Sequence, residues 1–414
     1  MKRRQGYRFK IEPKHKHFDH LNQSLGANRF VWNKLLSMNL YRLDNKLPLI
    51  WYNEMAWHIA LWKKSHEYSF LNEAPSQSLQ QTAKALDRAF KDAFDKNQPQ
   101  KRIPVFKRLG QNEAGIKYPQ GTILDQVNNV IRLPKLGWVK YRNSREVEGV
   151  VKNVTVSRKS GHYCVSIQTE REVELPCHPA NTAIGIDMGV VRFATLSDGT
   201  VVEPKNSFKG LEEKLSKEQH KLSRKIKFSA RWKSQKQKIA RLHSTIAHVR
   251  NHFLHQLSHT ISKNHAMIVI EDLKVSNMSK SARGTLEAPG QRVAQKSGLN
   301  KAILDQGWSE FRRQLEYKQE WRGGWLFAVP SHHTSQTCPK CYHATKENRV
   351  SQADFHCVAC GYEDNADWVA AQNILQRGFE WLSQDKKQNR GAHGVRLPSE
   401  QLKLSATGTG SVPS

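Results

Sequence analysis

Two sets of residues in this chain have the types and spacing for metal chemistry. The first is four cysteines in two knuckles, Cys338-Pro-Lys-Cys341 and Cys357-Val-Ala-Cys360, with fifteen residues between them. Each short turn presents two thiolates, and a hairpin between the turns brings the pairs together around one tetrahedral Zn2+. The plainer alternatives are two disulfides or four unrelated buried thiols. Only Cys164 and Cys177 remain besides these four, both far upstream, and no leader-like run opens the chain. A structural zinc ribbon in the cytoplasm, or on the nucleoid if the source is bacterial, is therefore the expectation.

The second set is carboxylates. Metal-dependent phosphodiester cleavage needs hard oxygen ligands that converge from separate elements on one or two Mg2+ ions. Asp187 lies among Ile184, Ile186 and Met188, where a buried carboxylate without a partner is costly; a solvated turn acid is the alternative. Glu271 closes the run MIVIED, from which a buried strand delivers a side chain to the sheet rim. Asp272 is its direct rival, because neighbouring strand residues face opposite ways. Asp367 is followed at three, four and seven residues by Ala370, Ala371 and Ile374, and so shares a helix stripe that must be buried. Asp364 is the candidate for a capping carboxylate at that helix start. His332 and His333 are not needed as ligands, since four thiolates complete a tetrahedral site.

The elements that must position these groups form an α+β, multidomain chain. At 414 residues it exceeds one hydrophobic core. The opening YRFKIEP alternates as a strand, and helical spacing follows through Leu21, Leu25, Phe30 and Leu35. A further helix is marked by APSQSLQQTAKALDRAFKDAF, and the pattern then changes at about residue 105 to short alternating segments that suit an antiparallel barrel or sheet. The first 172 residues thus read as a β module with a helical insertion. From about residue 181, TAIGIDMGVVRFATLSDGTVV reads as the three-strand meander that begins a ribonuclease-H-like sheet. AMIVIEDLKV is a buried strand, SNMSKSARGTLEAPGQRVAQKSG a polar mobile loop, and Ser383 to Ser414 a disordered tail.

Charge points to the partner. The formal net charge is +29, and residues 204 to 250 carry fourteen Lys or Arg against three Glu, on helices with one apolar stripe and one basic face. Such a field attracts a polyanion, and no apolar run approaches the roughly 18–20 residues that span a bilayer. Nucleic acid is expected rather than a membrane.

Read together, the segments YRFKIEP, GANRFVWN, QSLQQTAKALDRAFKDAF, PVFKRLG, GIDMGVVRFATLSDG, IVIEDLKVSNM, FRRQLEYKQEWRGG, PSHHTSQTCPKC and DNADWVAAQNIL resemble the TnpB (OrfB) family of transposon-encoded proteins, relatives of the type V CRISPR effectors. The resemblance spans nearly all of residues 5 to 382. It implies a RuvC-type nuclease domain at 181–330 and 362–382, with Asp187, Glu271 and Asp367 as its Mg2+-binding, catalytic triad. It also implies that Cys338, Cys341, Cys357 and Cys360 hold Zn2+ in a ribbon at 331–361, a wedge-like β-barrel at 1–20 and 97–175, and a helical recognition lobe at 21–96.

By the same resemblance, the chain holds a guide RNA from the transposon end and cuts double-stranded DNA beside a short transposon-adjacent motif. Base pairing then supplies most of the specificity. Arg29 and Asn33, with Phe30 and Trp32, fall where family members contact RNA or the flanking motif, and Lys107 follows a segment expected near nucleic acid. Lys221, Arg224, Lys225 and Arg231 belong to the basic helices suited to line an RNA–DNA hybrid. Two departures stand out: Val369 replaces the usual Asn two residues after the last acid, and Tyr342 follows the first knuckle where Gly361 follows the second. The competing functions are a cleavage-deficient guided repressor and a transposase acting directly on element ends. Oligomeric state is not legible.

Overall fold

The structure, a computed structural model, describes residues 1–108, 115–285 and 287–388. The chain divides into two compact units, Met1–Glu174 and Leu175–Ser414. Among the described residues no helix is long and apolar enough to cross a membrane.

The first unit opens with β1 (Lys2–Glu12), in which Tyr7, Phe9 and Ile11 alternate inward and are 2%, 3% and 2% exposed. A helical segment follows: α1 (His15–Asp44), α2 (Tyr52–Lys64) and α3 (Ser76–Phe94). It leads to β2 (Ile116–Tyr118), β3 (Ile123–Asp125), β4 (Val130–Leu133), β5 (Gly137–Tyr141), β6 (Val150–Lys159) and β7 (His162–Glu172). The seven strands make one sheet in the order β2-β6-β7-β1-β5-β4-β3. Long β1 serves both halves, pairing with β7 over Lys2–Lys10 and with β5 at Ile11 and Glu12. No ladder joins β2 to β3 among the described residues, so the expected barrel is an open sheet: its two short end strands do not meet.

Helix α1 links the two cores of this unit. Leu21 and Leu25 pack into the strand core, whereas Ala27, Val31, Leu35 and Leu36 join the helical core with Leu79, Ala83, Leu86 and Phe90 of α3. Each fully buried Leu or Phe there contributes about 1.5–3 kcal/mol. A buried polar pin sets the register of the pair, because Asn28 Oδ1 accepts from Ser78 Oγ at 3.1 Å and from Thr82 Oγ1 at 2.6 Å.

The second unit is built on β8 (Ala183–Asp187), β9 (Ala194–Leu196) and β10 (Val201–Val202), an antiparallel meander. A basic helical hairpin follows, α4 (Lys209–Ser223) and α5 (Ala230–Asn264), and then β11 (Met267–Glu271). Next come α6 (Val275–Met278), α7 (Val293–Gln306), α8 (Trp308–Arg322) and β12 (Trp325–Val329). The polar stretch after β11 is thus helical at both ends, since α6 and α7 lie within it. A small hairpin, β13 (Asp354–His356) and β14 (Glu363–Asn365), precedes α9 (Ala366–Gln388). The helix runs past Ser383, where the disordered tail was expected to begin, and residues 389–414 of that expected tail lie outside the described residues.

The five main strands are ordered β10-β9-β8-β11-β12, with β11 parallel to both β8 and β12. Strand alternation sorts the two faces. Ile184, Ile186, Ile268 and Ile270 share a core with Leu254 and Ile261 of α5 and Phe311 and Leu315 of α8. Met267, Val269 and Val329 pack instead with Ile374, Leu375 and Phe379 of α9. Gly185 belongs to the α9 face as well: a Cβ there would lie 2.2 Å from the Ala371 carbonyl oxygen, so glycine is what lets α9 close onto β8.

Candidate active site and metal centre

The alternation that sorts the core also places the acids. Asp187 is two residues beyond Gly185, and Glu271 two beyond Val269, so both side chains leave their strands on the α9 face. The parallel register pairs Ile270 with Ile186, and one further step sets Glu271 beside Asp187 on strands about 4.8 Å apart. Asp367 arrives in the first turn of α9. Asp272 goes the other way and pairs with Arg312 of α8 at 2.6 Å. Of the two rivals, Glu271 is thus the one whose charge reaches Asp187, while Asp272 is paired with Arg312 on the other face.

The three carboxylates share one electrostatic environment. Burial, with the neighbouring charges of Glu271 and Asp367, pushes the Asp187 carboxyl up to about 7 against the pull of Arg349 and a hydrogen bond from the Met188 amide. Glu271, 8% exposed, is raised by burial and pulled back by Thr334, Arg377 and Arg349. Asp367 stays at the rim, with Arg192 Nη1 and Arg349 Nη2 each 3.9 Å from one of its oxygens. Asn365, not Asp364, caps α9 by accepting from the amides of Asp367 and Trp368, while Asp364 accepts from the Tyr362 hydroxyl.

Among the described residues, only the four cysteines gather ligand atoms within 4.8 Å of one another; the carboxylates interact without converging so tightly. Like charges in a partly desolvated site repel, and two arginines lie beside Asp367. The donor set is all oxygen, the hard type that suits Mg2+ or Mn2+.

The cysteine centre is drawn closer. Sγ of Cys338 lies 3.6 Å from that of Cys360, and Sγ of Cys341 3.5 Å from that of Cys357. A disulfide needs about 2.05 Å. Tetrahedral Zn–S bonds of about 2.3 Å imply sulfur–sulfur edges of about 3.8 Å, close to those observed. Buried Asn348 ties the knuckles together, donating to the carbonyls of Gln336 and His343 at 2.9 Å each and accepting from the Val358 amide at 3.0 Å. Tyr342 has φ +60° and Gly361 φ +67°, so the tyrosine holds the left-handed turn that glycine holds in the second knuckle. Val369 is fully buried with Cys338, Phe355 and Cys357, and thus serves the ribbon core rather than the acids. His333 bonds Gln336 through its ring and stands apart from the thiols.

The residues proposed from sequence for nucleic acid have different surroundings. Asn33 uses both ends of its amide on the backbone of Lys107, at 3.0 and 2.8 Å, and Trp32 Nε1 donates to the Val105 carbonyl. Lys107 lies over the Trp32 ring at 3.7 Å, and burial holds its ammonium down to about 8. These groups clamp residues 105–107 to α1, and Arg29 is half-buried on the same helix. Arg224, Lys225 and Arg231 surround the exposed turn between α4 and α5, and Lys221 pairs with Glu218 at 2.7 Å. Sequence reasoning left Arg192, Arg349 and Asn373 unremarked. Arg192 sits in the β8–β9 turn and reaches Asp367 at 3.9 Å, and nothing in the local sequence marks either it or Arg349.

Comparison with known proteins gives a consistent family. A family described as "Probable transposase" matches residues 162–282, "Cas12f1-like, TNB domain" matches 308–374, and "Helix-turn-helix domain" matches 1–46, although these last residues fold here as a strand and one long helix. The chain is 50% identical to "Putative RNA-guided DNA endonuclease InsQ" of Escherichia coli strain K12, over 98% of this chain and 100% of that one. It is 30% identical to a "Putative RNA-guided DNA endonuclease" of Streptomyces pristinaespiralis, over 91% and 90% of the two chains. A solved Cas12f1–sgRNA–target DNA complex shares the fold, with TM-score 0.53, 12% identity and coverage of 90% of this chain and 99% of that one. The chain belongs to the TnpB (OrfB) family, and is related to the type V CRISPR effectors.

Proposed function

We propose that this protein is an RNA-guided, Mg2+-dependent DNA endonuclease in which Asp187, Glu271 and Asp367 hold two catalytic ions and Cys338, Cys341, Cys357 and Cys360 hold a structural Zn2+. The observation that carries the reading is the meeting of three carboxylates, from two adjacent parallel strands and a helix start, in one field on one sheet face. The sheet order, a three-strand meander continued by two parallel strands, agrees with a ribonuclease-H-like RuvC domain. When bound, the ions lower the pKa of an attacking water and stabilise charge on the leaving oxygen. Asp187, which feels the charges of both other acids, would hold the ions together with them, and Arg192 and Arg349 pair with Asp367.

Guidance follows from the relatives and from charge. Two relatives carry RNA-guided endonuclease in their names, and the α4–α5 hairpin presents Lys221, Arg224, Lys225 and Arg231 in a stretch where no acid occurs between Glu218 and Glu271. A dense line of phosphates such as an RNA–DNA hybrid complements that surface. The guide is a transcript of the transposon end, the target is double-stranded DNA beside a short transposon-adjacent motif, and Arg29 and Lys107 lie near one of these polymers. The protein acts in the cytoplasm, on the nucleoid once a target is bound.

The test is a purified ribonucleoprotein with a plasmid bearing the guide-matched target and flanking motif. Cutting in Mg2+ is expected, and Asp187→Ala is expected to abolish it while target binding persists. Cutting at the wild-type rate by that variant would remove the carboxylates from the chemistry. Target binding without cutting by the wild-type complex would favour the repressor reading.

A further inference from the structure

The turn that leads into the ribbon reaches the acids. Thr334, 3% exposed, donates its hydroxyl proton to Glu271 Oε1 at 2.6 Å. Among the described residues the Ser331 carbonyl is the other acceptor in reach, at 3.2 Å, and a hydroxyl with one proton gives it to the nearer carboxylate oxygen. The turn is in turn held from α9, because buried Asn373 donates to the carbonyls of Thr334 at 2.8 Å and Thr337 at 2.7 Å. Asn373 stands six residues along from Asp367 on the same helix. Arg377, one turn further, donates to the Pro330 carbonyl at 2.8 Å. The carbonyls of 330, 334 and 337 are thus fastened to the helix that carries the third acid, and the hydroxyl between them is fastened to the second.

We propose that Thr334 is a positioning residue for Glu271, and that Asn373 holds the turn so that the second and third acids are aligned through the chain leading into the ribbon. The inference rests on the reading of Glu271 as a metal ligand. A carboxylate on the end of a flexible Glu side chain has several rotamers, and a ligand must present one of its oxygens to the ion. A hydrogen bond to Oε1 selects the rotamer and leaves Oε2 for the metal. Loss of such an outer partner typically weakens metal binding or activity by about 10–100-fold. Cys338 follows Thr334 by four residues, so the ribbon's fold and the carboxylate's direction share one turn.

The experiment compares wild type, Thr334→Val, Thr334→Ser and Glu271→Ala. Mn2+ binding to the RNA-free protein is followed by electron paramagnetic resonance, and target cutting by the ribonucleoprotein is followed against Mg2+ concentration. Thr334→Val keeps the shape of the side chain and removes the hydroxyl; it should raise the Mg2+ needed for half-maximal cutting, and the Mn2+ dissociation constant, at least tenfold. Zinc content and target binding should be unchanged, and Thr334→Ser should restore the wild-type metal dependence. Should the valine variant not fold, Thr334→Ala is read in the same way, and Asn373→Ala should shift metal dependence in the same direction by a smaller factor. Wild-type metal dependence in Thr334→Val, or a loss of cutting that saturating Mg2+ does not lessen and serine does not rescue, would overturn the inference while Glu271→Ala remained inactive. Undiminished cutting by Glu271→Ala would instead overturn the underlying functional reading.

Discussion

The two candidate metal centres of the C-terminal unit are built by opposite strategies. The thiolate centre is local: all four ligands fall within 23 residues, its knuckles repeat one turn, and its ligand atoms already lie within 4.8 Å of one another. The carboxylate centre is assembled from β8, β11 and α9, whose acids are separated by 84 and 96 residues, and its oxygens remain further apart. Thiols are neutral when protonated and tolerate close approach, whereas partly buried carboxylates repel until cations neutralise them. One centre can thus form as soon as its own hairpin folds, and the other requires the sheet, the register and the helix together. The Asn373 and Thr334 hydrogen bonds are where the two meet.

The comparison can be broken most severely at the carboxylates. Asp187→Ala should lower cutting by at least about a thousandfold, on the order of 4 kcal/mol of transition-state stabilisation, with target binding retained in a gel-shift assay. At the thiolates, Cys357→Ser should take bound zinc, measured by elemental analysis, from one per chain to none. Binding of structural zinc is folding free energy, so the ribbon segment should become protease-sensitive while residues 1–174 stay resistant. If zinc loss left both the ribbon and cutting intact, the local centre would be dispensable.

A test of the assembled centre that touches no ligand is Gly185→Ala. The new Cβ would overlap the Ala371 carbonyl, so α9 must lift from β8 and carry Asp367 with it. A stability loss of about 2–4 kcal/mol is expected in denaturant unfolding, with a loss of cutting that exceeds the loss of folded protein. A variant as active and stable as wild type would show that α9 need not close on the strand. The corresponding test of the local centre is Tyr342→Gly, which removes a side chain from a left-handed turn and should stabilise the zinc-bound ribbon by about 1 kcal/mol.

The smallest effect lies in the other unit, where a cation rather than an anion is partly buried. The Lys107 ammonium titrates at about 8 in the folded chain against 10.5 when free. The folded state therefore binds fewer protons than the unfolded state between these values, and stability rises with pH across that window. Below about pH 8 both states are protonated and the full cost of burying the charge is felt, offset in part by the Trp32 ring. Lys107→Met should raise stability at pH 7 by about 1 kcal/mol and flatten the rise between pH 8 and 10.5, measured by urea unfolding at several pH values. An unchanged pH slope would show that Lys107 is not the source of it.

Much of this architecture is legible in the residues. The alternation of Tyr7, Phe9 and Ile11, the apolar run of β11 and the stripe of α3 all emerge as strands and helices where period and composition place them. The knuckle spacing foretold a four-thiolate cluster for a physical reason: ligands on tight turns have little freedom to be elsewhere. Charge by itself points to a polyanionic partner, because a field depends on composition more than on fold.

Other features depended on relations that no local pattern contains. Barrel closure failed because it needs two short end strands to meet, and their alternation says nothing about that. Asp364 and Asn365 are both good caps, and only the path of the backbone gave the role to Asn365. Asn33 and Lys107 are candidates for nucleic acid by sequence, and only the fold shows that the amide of one holds the backbone of the other across 74 residues. Sequence alone determined the acids as a set of candidates and the thiols as a centre. Tertiary structure decided that Glu271, rather than Asp272, stands beside Asp187, because strand residues alternate and only the packing of α9 tells which face is which.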